Sequence, residues 1–220
     1  MESQEAPAGE DTDKTSEIVI PPGLKDFSER VPPTYISVFT VVKKEDLPSI
    51  GEKGLDPSYR ARRLPEEAIQ LDQEIKRVAG ERNKNGLDRL DSTFAYPDHP
   101  DVNPPVEYYG DREDQVALEL KVDPKSWVAD ASRYGAIVTA HPKDIEGKIK
   151  DYVDTALPLD EYLAKRKEIP SRDDPSGWLS FQRKIEAEGG DIRKIPGDSG
   201  QPEVLVQGLV STDFVRIARK

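Results

Sequence analysis

The stretch "TYISVFTVVKKEDLPSIGEKGL", from Thr34 to Leu55, decides the fold class. Its first half is rich in β-branched and aromatic residues, which predicts a buried strand. Its second half spaces Leu47, Ile50 and Leu55 close to a helical period, and Gly54 stands where a glycine commonly ends a helix. The stretch therefore predicts a strand that leads directly into a short helix.

The rest of the chain groups strands with strands and helices with helices. "LPEEAIQLDQEIKRVAGERN" predicts a helix with Pro65 in its first turn and an apolar stripe of Ala68, Leu71, Ile75 and Val78. "QVALELKVDP" alternates as a strand with one apolar face, and "LDSTFAYP" and "WVAD" predict shorter strands. Three helices between about residues 144 and 190 precede two strands in "PEVLVQGLVSTDFVRIARK". Because strands and helices do not alternate strictly, the predicted class is α+β.

The composition excludes several kinds of site. The net charge of -11 argues against non-specific nucleic-acid binding, although "YRARR" at residues 59–63 is a compact basic cluster. The chain has no cysteine and two histidines, so a thiolate or histidine-rich metal site is not expected. Asp98, His99 and Asp101 lie close together in "YPDHPD", but two prolines make this segment typical of a solvated loop. We therefore predict no metal.

The chain divides into an acidic, flexible N-terminal tail at residues 1–32 and a single domain at residues 33–220. No apolar run approaches the ~18 residues that a membrane-spanning helix needs. The N-terminal residues also lack the apolar core of a secretory signal. These features predict a soluble, cytoplasmic protein, and they also suit an effector exported by a specialised machine.

Three segments, taken in order, carry a family resemblance: "VFTVVKKEDLPSIGEKGL", "LDSTFAYP" and "QPEVLVQGLVSTDFVRI". Together they resemble the ADP-ribosyltransferase superfamily, in particular its bacterial toxin-like members, over the chain from Thr34 to Ile217. The resemblance implies a split, mixed or antiparallel β core with flanking helices and a helical insertion at about residues 144–190. It also implies transfer of ADP-ribose from NAD, as the substrate, to an acceptor.

The resemblance implies a catalytic role for Glu203, which stands before an apolar strand. A carboxylate beside the ribose is favoured more strongly as positive charge develops in the transition state, so it lowers the barrier. Gln201, two residues earlier, would contact the acceptor, and Ser92 would order the site. Position alone instead favours a solvated charge at the end of a strand for Glu203.

The implied NAD-binding residues lie on the first two of these segments: Thr40, Arg89, Thr93, Phe94 and Tyr96. Members of the family often carry His or Arg on the first strand, where this chain has Thr40, which offers one hydrogen bond and no charge. Basic residues that could bind the phosphates instead are Arg60, Arg62, Arg63 and Arg89. For Phe94, packing in the core is the alternative role.

Three functions therefore remain open. The acidic balance favours a protein or a small molecule over DNA as the acceptor of ADP-ribose. The missing first-strand His or Arg also fits a catalytically inactive member of the fold that acts as a binding module. An NAD-dependent RNA 2′-phosphotransferase is the third function, and it would require several basic groups around the phosphates.

Overall fold

The computed structural model describes residues 20–58, 62, 64–98, 114–170, 174–189 and 201–218. Strands β1 to β7 are Ile36–Lys43, Ser92–Ala95, Gln115–Val122, Trp127–Asp130, Leu157–Pro158, Pro202–Gln207 and Val215–Ile217. Helices α1 to α6 are Leu47–Lys53, Glu66–Glu81, Ala131–Val138, Ile145–Thr155, Leu159–Glu168 and Pro175–Ala187. The strands form two antiparallel sheets, so the predicted α+β class is confirmed.

The first sheet has the strand order β1-β3-β7, and the second has the order β2-β6-β4-β5. The two sheets meet where β1 passes the end of β2. There the Phe39 amide donates to the Tyr96 carbonyl at 2.8 Å, and the Tyr96 amide donates to the Phe39 carbonyl at 2.6 Å. Strand β6 is central in its sheet because it pairs with β2 on one side and β4 on the other.

Strand β6 separates two hydrophobic cores. Val204 and Val206 face the first core, which lies between the sheets and includes apolar residues of β1, β3 and α1. Leu205 faces the second core, which is built mainly by α2, α3 and α4. Because side chains alternate along a strand, Glu203 points to the same side as Leu205 and so toward the helices. Fully burying each large aliphatic side chain contributes about 1.5–3 kcal/mol to such cores.

Several local predictions are confirmed. Helix α1 ends at Gly54, whose φ of 81° is one that glycine adopts without strain. In β3 the alternating apolar positions are buried as predicted: Val116, Leu118, Leu120 and Val122. The final two strands exist, but they lie in different sheets. A turn with Gly208 at φ 67° and a 3₁₀ segment, Thr212–Phe214, connect them.

Helix α3 was not predicted from the sequence. It has only eight residues and contains Gly135, so its periodicity is weak. Its N-terminal signal is present, since the Asp130 side chain accepts a hydrogen bond from the Ser132 amide. This short helix matters for the site because it carries Tyr134.

The structure also describes residues 20–32, which fall within the predicted N-terminal tail. Leu24 is fully buried in the first core, and the guanidinium carbon of Arg216 lies 4.4 Å from the centroid of the Phe27 ring. Residues 1–19 lie outside the described ranges. Across the helices that are described, none combines the length and apolar character required to cross a membrane.

Candidate active site

Glu203 lies in the first half of β6, directly opposite Ala129 of β4. Only 5% of its surface is exposed, so the solvated strand-end charge that position alone favoured does not describe it. A buried carboxylate costs free energy unless it is paired and hydrogen-bonded. The side chains around Glu203 must therefore supply those partners.

Among the described residues, the hydrogen bonds donated to the Glu203 carboxylate all reach one of its two oxygens. The Tyr152 hydroxyl donates to Oε1 at 2.9 Å, and Arg89 Nη1 donates to the same oxygen. Arg89 Nη1 also donates to the Tyr152 hydroxyl oxygen at 2.8 Å, which closes a triangle of three polar atoms. Within the described part of the chain, no donor is bonded to Oε2 of Glu203.

A second carboxylate lies on the other part of the same guanidinium. Arg89 Nε is 3.2 Å from Oδ1 of Asp72, a residue of α2 that is fully buried. The resulting set of Asp72, Arg89, Tyr152 and Glu203, called the Glu203 cluster below, holds two carboxylates and one guanidinium. With both carboxylates ionised its net charge is negative, because the positive charge of Arg89 is shared between two partners.

Aromatic rings enclose the guanidinium. Its central carbon lies 3.7 Å from the centroid of Tyr134 and 4.6 Å from that of Phe94. Cations over aromatic faces are stabilised by the ring quadrupole, and more strongly when water is excluded. The rings of Tyr134 and Tyr152 meet edge to face, with centroids 6.3 Å apart. These contacts place the guanidinium of Arg89 against aromatic rings on two sides, although Arg89 itself lies in a connecting segment.

Burial and charge shift the pKa values of the two donors. Burial alone would lower the pKa of Arg89, but Tyr152, Glu203 and Asp72 outweigh it and leave that pKa raised. Burial raises the pKa of Tyr152 well above its ordinary value, and the nearby charge of Glu203 acts in the same direction. Arg89 therefore stays charged, and the Tyr152 hydroxyl stays protonated as a hydrogen-bond donor to the carboxylate.

The segment between α2 and β2 places Arg89 in this cluster. Asp88 Oδ1 accepts a hydrogen bond from the Leu90 amide at 3.1 Å, and Asp88 Oδ2 lies 2.6 Å from the ammonium of Lys76. Lys84 fastens the same segment to the end of α4 by donating to three carbonyls, those of Val153, Asp154 and Ala156. The bonds of Lys84 hold the chain that carries Arg89 beside the helix that carries Tyr152.

The structure brings three predicted segments of the site together. Thr40 of β1 is buried, and its Oγ1 donates to the Phe94 carbonyl of β2 at 2.8 Å. Phe94 pairs with Leu205 of β6, two residues beyond Glu203. Tyr96 is half-buried where β1 meets the end of β2. Residues that are more than 50 positions apart in the sequence are therefore neighbours across three strands.

Other predicted residues have different surroundings. Ser92 pairs with Gln207 at the far end of the β2–β6 ladder, and Gln207 lies about 14 Å along β6 from Glu203 at ~3.4 Å per residue. Its hydroxyl donates to the Asp88 carbonyl. Thr93 is half-buried, and it lies opposite Val206 on the face of the second sheet that packs against the first core. Gln201 is half-buried, and its carbonyl accepts from the Ala131 amide at 2.9 Å.

The arginines proposed for phosphate binding also differ from one another. Arg89 is 4% exposed and is bound by the carboxylates of its cluster. Arg62 Nη2 donates to the Ser58 hydroxyl at 3.3 Å. Arg60 and Arg63 lie outside the described residues, as do His99 and Asp101. Asp98 forms an ion pair with Arg166 at 2.7 Å.

Sequence reasoning missed three members of the site: Asp72, Tyr134 and Tyr152. A signal for Asp72 was present, because it precedes Ile75 and Ala79 by three and seven residues and so shares their buried helix face. Tyr152 likewise follows Ile149 at helical spacing and is fully buried. A carboxylate on an apolar helix face predicts a buried cationic partner, but the sequence does not identify that partner as Arg89.

Two cavities lie outside the Glu203 cluster. One, of about 380 Å³, lies at the Gln207 end of β6 and is lined in part by Trp127 and Lys121. The other, of about 450 Å³, lies beside α1 and is lined in part by Ile50 and Leu55. Glu203 lines neither of them. Within the described ranges, no group of three or more candidate metal ligands comes together.

Comparison of the chain with models of protein families, with curated proteins and with solved structures finds no match.

Proposed function

We propose that the protein transfers ADP-ribose from NAD to an acceptor, with Glu203 as the catalytic carboxylate. Oε2 of Glu203 is the observation that carries the proposal. The carboxylate is held through Oε1 by Arg89 and Tyr152, whereas Oε2 has no donor among the residues described. A fixed carboxylate with one available oxygen suits the acceptance of a hydrogen bond from a ribose hydroxyl.

The neighbouring strands support the same proposal. The three segments that resemble the ADP-ribosyltransferase superfamily contribute β1, β2 and β6, which are adjacent where Thr40, Tyr96 and Glu203 lie. We assign Thr40 and Tyr96 to the nicotinamide end of NAD. Gln201 precedes the strand of Glu203 and would contact the acceptor. The ADP-ribosyltransferase type of the β core is part of this proposal.

The charge of the Glu203 cluster suits the reaction. Loss of nicotinamide from NAD develops positive charge on the ribose, as in glycoside hydrolysis. A carboxylate neutralised by an arginine alone would stabilise that charge weakly. Here Asp72 shares the guanidinium of Arg89, so Glu203 is not its sole counter-ion. A preorganised carboxylate in a site with little water acts strongly on developing charge.

A second candidate function is that of a binding module with the same fold and no catalysis. The observation that favours it is the state of Thr40, which has no charge and donates its hydroxyl hydrogen to the Phe94 carbonyl. Because Thr40 supplies no positive charge, binding of the NAD phosphates would have to come from Arg60, Arg62 or Arg63. NAD binding and nicotinamide release separate these two functions. The overall charge of -11 favours a protein or a small molecule as the acceptor in either scheme.

The test is the release of nicotinamide from NAD by the full chain, compared with Glu203→Gln. The substitution keeps the size of the side chain and removes its charge. We expect the rate of nicotinamide release to fall by about 100-fold or more, because an electrostatic contribution to the transition state is lost. Calorimetry should show that NAD still binds to the variant.

Glu119→Gln is the matched control. Glu119 is also a nearly buried strand carboxylate bound to an arginine, with Arg216 Nη2 at 2.7 Å from Oε2, but it lies in the first sheet. This control should retain the wild-type rate. Equal rates in wild type and Glu203→Gln would remove Glu203 from catalysis. A wild-type protein that neither binds NAD nor releases nicotinamide would exclude the transferase and favour the binding module.

A further inference from the structure

We infer that Tyr152 is a positioning residue for Glu203, an inference that rests on the proposed transferase function. Tyr152 lies on α4, in the helical segment between the strands of the second sheet, 51 residues before Glu203 in the sequence. It does not carry any part of the family resemblance. Its hydroxyl nevertheless contacts the carboxylate on which the proposed chemistry depends.

The geometry shows what the hydroxyl does. The terminal torsion of a glutamate side chain has a broad, two-fold preference, so its two oxygens exchange places easily. Arg89 Nη1 alone could hold either oxygen. The Tyr152 hydroxyl adds a second donor that converges on Oε1 at 2.9 Å, while its own oxygen accepts from Arg89 Nη1 at 2.8 Å. The two donors together hold Oε1 inside the Glu203 cluster and leave Oε2 to accept a hydrogen bond from the ribose.

Packing alone does not explain a tyrosine at this position. Tyr152 is fully buried in the second core, where its neighbours Ile149 and Val153 are aliphatic and also buried. A phenylalanine would fill the same space without the cost of burying a hydroxyl, which is substantial unless the hydroxyl is hydrogen-bonded. Both bonds of the Tyr152 hydroxyl are made to members of the Glu203 cluster, so its polar atom serves that cluster.

The inference predicts a specific kinetic effect of Tyr152→Phe. The carboxylate of Glu203 should remain paired with Arg89, but its plane should no longer be fixed. Misplacement of a catalytic group by about 1 Å can cost about 100-fold in rate. We expect kcat for nicotinamide release to fall by about 10- to 100-fold, with KM for NAD nearly unchanged, because Thr40 and Tyr96, which are assigned to the nicotinamide end of NAD, are untouched.

The experiment measures kcat and KM for nicotinamide release in wild type, Tyr152→Phe, Glu203→Gln and the double variant. Tyr162→Phe is the matched control, since Tyr162 is equally buried, at 1% exposure, but lies on α5 in the first core. Circular dichroism and thermal unfolding of each variant report on the fold. The double variant should be no slower than Glu203→Gln, because a positioning residue has no effect once the group it positions is gone.

The outcomes are distinguishable. A fall in kcat in Tyr152→Phe that is absent from Tyr162→Phe and from the Glu203→Gln background supports the inference. Unchanged kcat in Tyr152→Phe, or an equal loss in Tyr162→Phe, overturns it and leaves the proposed function standing. A further loss in the double variant also overturns it, since the effect would not pass through Glu203. A wild-type protein that releases no nicotinamide overturns the proposed function and the inference together.

Discussion

At the scale of single residues, Arg89 shows how far the sequence can lead. The family resemblance predicted that both Arg89 and Glu203 are site residues, and Arg89 was one of four candidates for binding the phosphates of NAD. In the structure the two side chains bind each other across 114 positions of the chain. Such a pairing depends on the tertiary fold, so neither periodicity nor local composition can predict it. The same limit applies to Asp72 and Tyr152. Helical spacing could predict that both are buried, but it could not predict that both contact Arg89.

The buried pairing makes Arg89 a strong contributor to stability. Arg89→Met would remove the cation that Asp72 and Glu203 share and leave two carboxylates without it in the second core. Breaking a buried ion pair by removing one partner typically costs about 3–5 kcal/mol. We expect a loss of that order in the free energy of unfolding at neutral pH, measured by urea denaturation.

Arg77→Met provides the control for this measurement. Arg77 is on the exposed face of α2, where it pairs with Glu74 and Glu81. Exposed ion pairs contribute little because water and salt screen them. The loss in stability should therefore be much smaller than for Arg89→Met. Similar losses in the two variants would show that the Glu203 cluster is not the buried ionic centre described above.

At the scale of elements, local sequence signals were most reliable where one residue type was required. Gly54 ends α1 as predicted because the chain needs a positive φ there. The period-two pattern located β3, and the helical period located α2. The assignment of β6 and β7 to different sheets was not predictable, because strand partners are selected by tertiary packing. Helix α3 is too short for its periodicity to stand out.

Gly54 and Gly147 offer a matched test at this scale. At Gly54, φ is 81°, and an added Cβ would overlap the Val210 carbonyl oxygen. That oxygen accepts a hydrogen bond from the Leu55 amide at 2.9 Å. Gly54→Ala should therefore destabilise the fold by more than about 1 kcal/mol. Gly147 lies in α4 with open space around its missing Cβ, so Gly147→Ala should stabilise by up to about 1 kcal/mol. Thermal unfolding measures both, and a gain in Gly54→Ala would contradict the described turn.

At the scale of the whole molecule, β6 links stability to the proposed chemistry. Its two valines close the core between the sheets, and its opposite face brings Glu203 against the helices. The helical segments therefore do more than cover the sheet, because α2 supplies Asp72 and α4 supplies Tyr152. The sequence predicted the α+β class and the succession of strands and helices along the chain, but not how the strands pair in the two sheets. It could not predict that the helices complete the surroundings of the carboxylate.

The most direct test of the account is a crystal structure of the full chain with a carbocyclic analogue of NAD, whose bond to nicotinamide resists hydrolysis. We predict that a hydroxyl of the ribose ring replacement lies within hydrogen-bonding distance of Glu203 Oε2, at about 2.6–3.2 Å, with Tyr96 beside the nicotinamide. An analogue bound elsewhere, such as in the cavity beside Trp127, would contradict the account. A protein that does not bind the analogue at any concentration tested would contradict it as well.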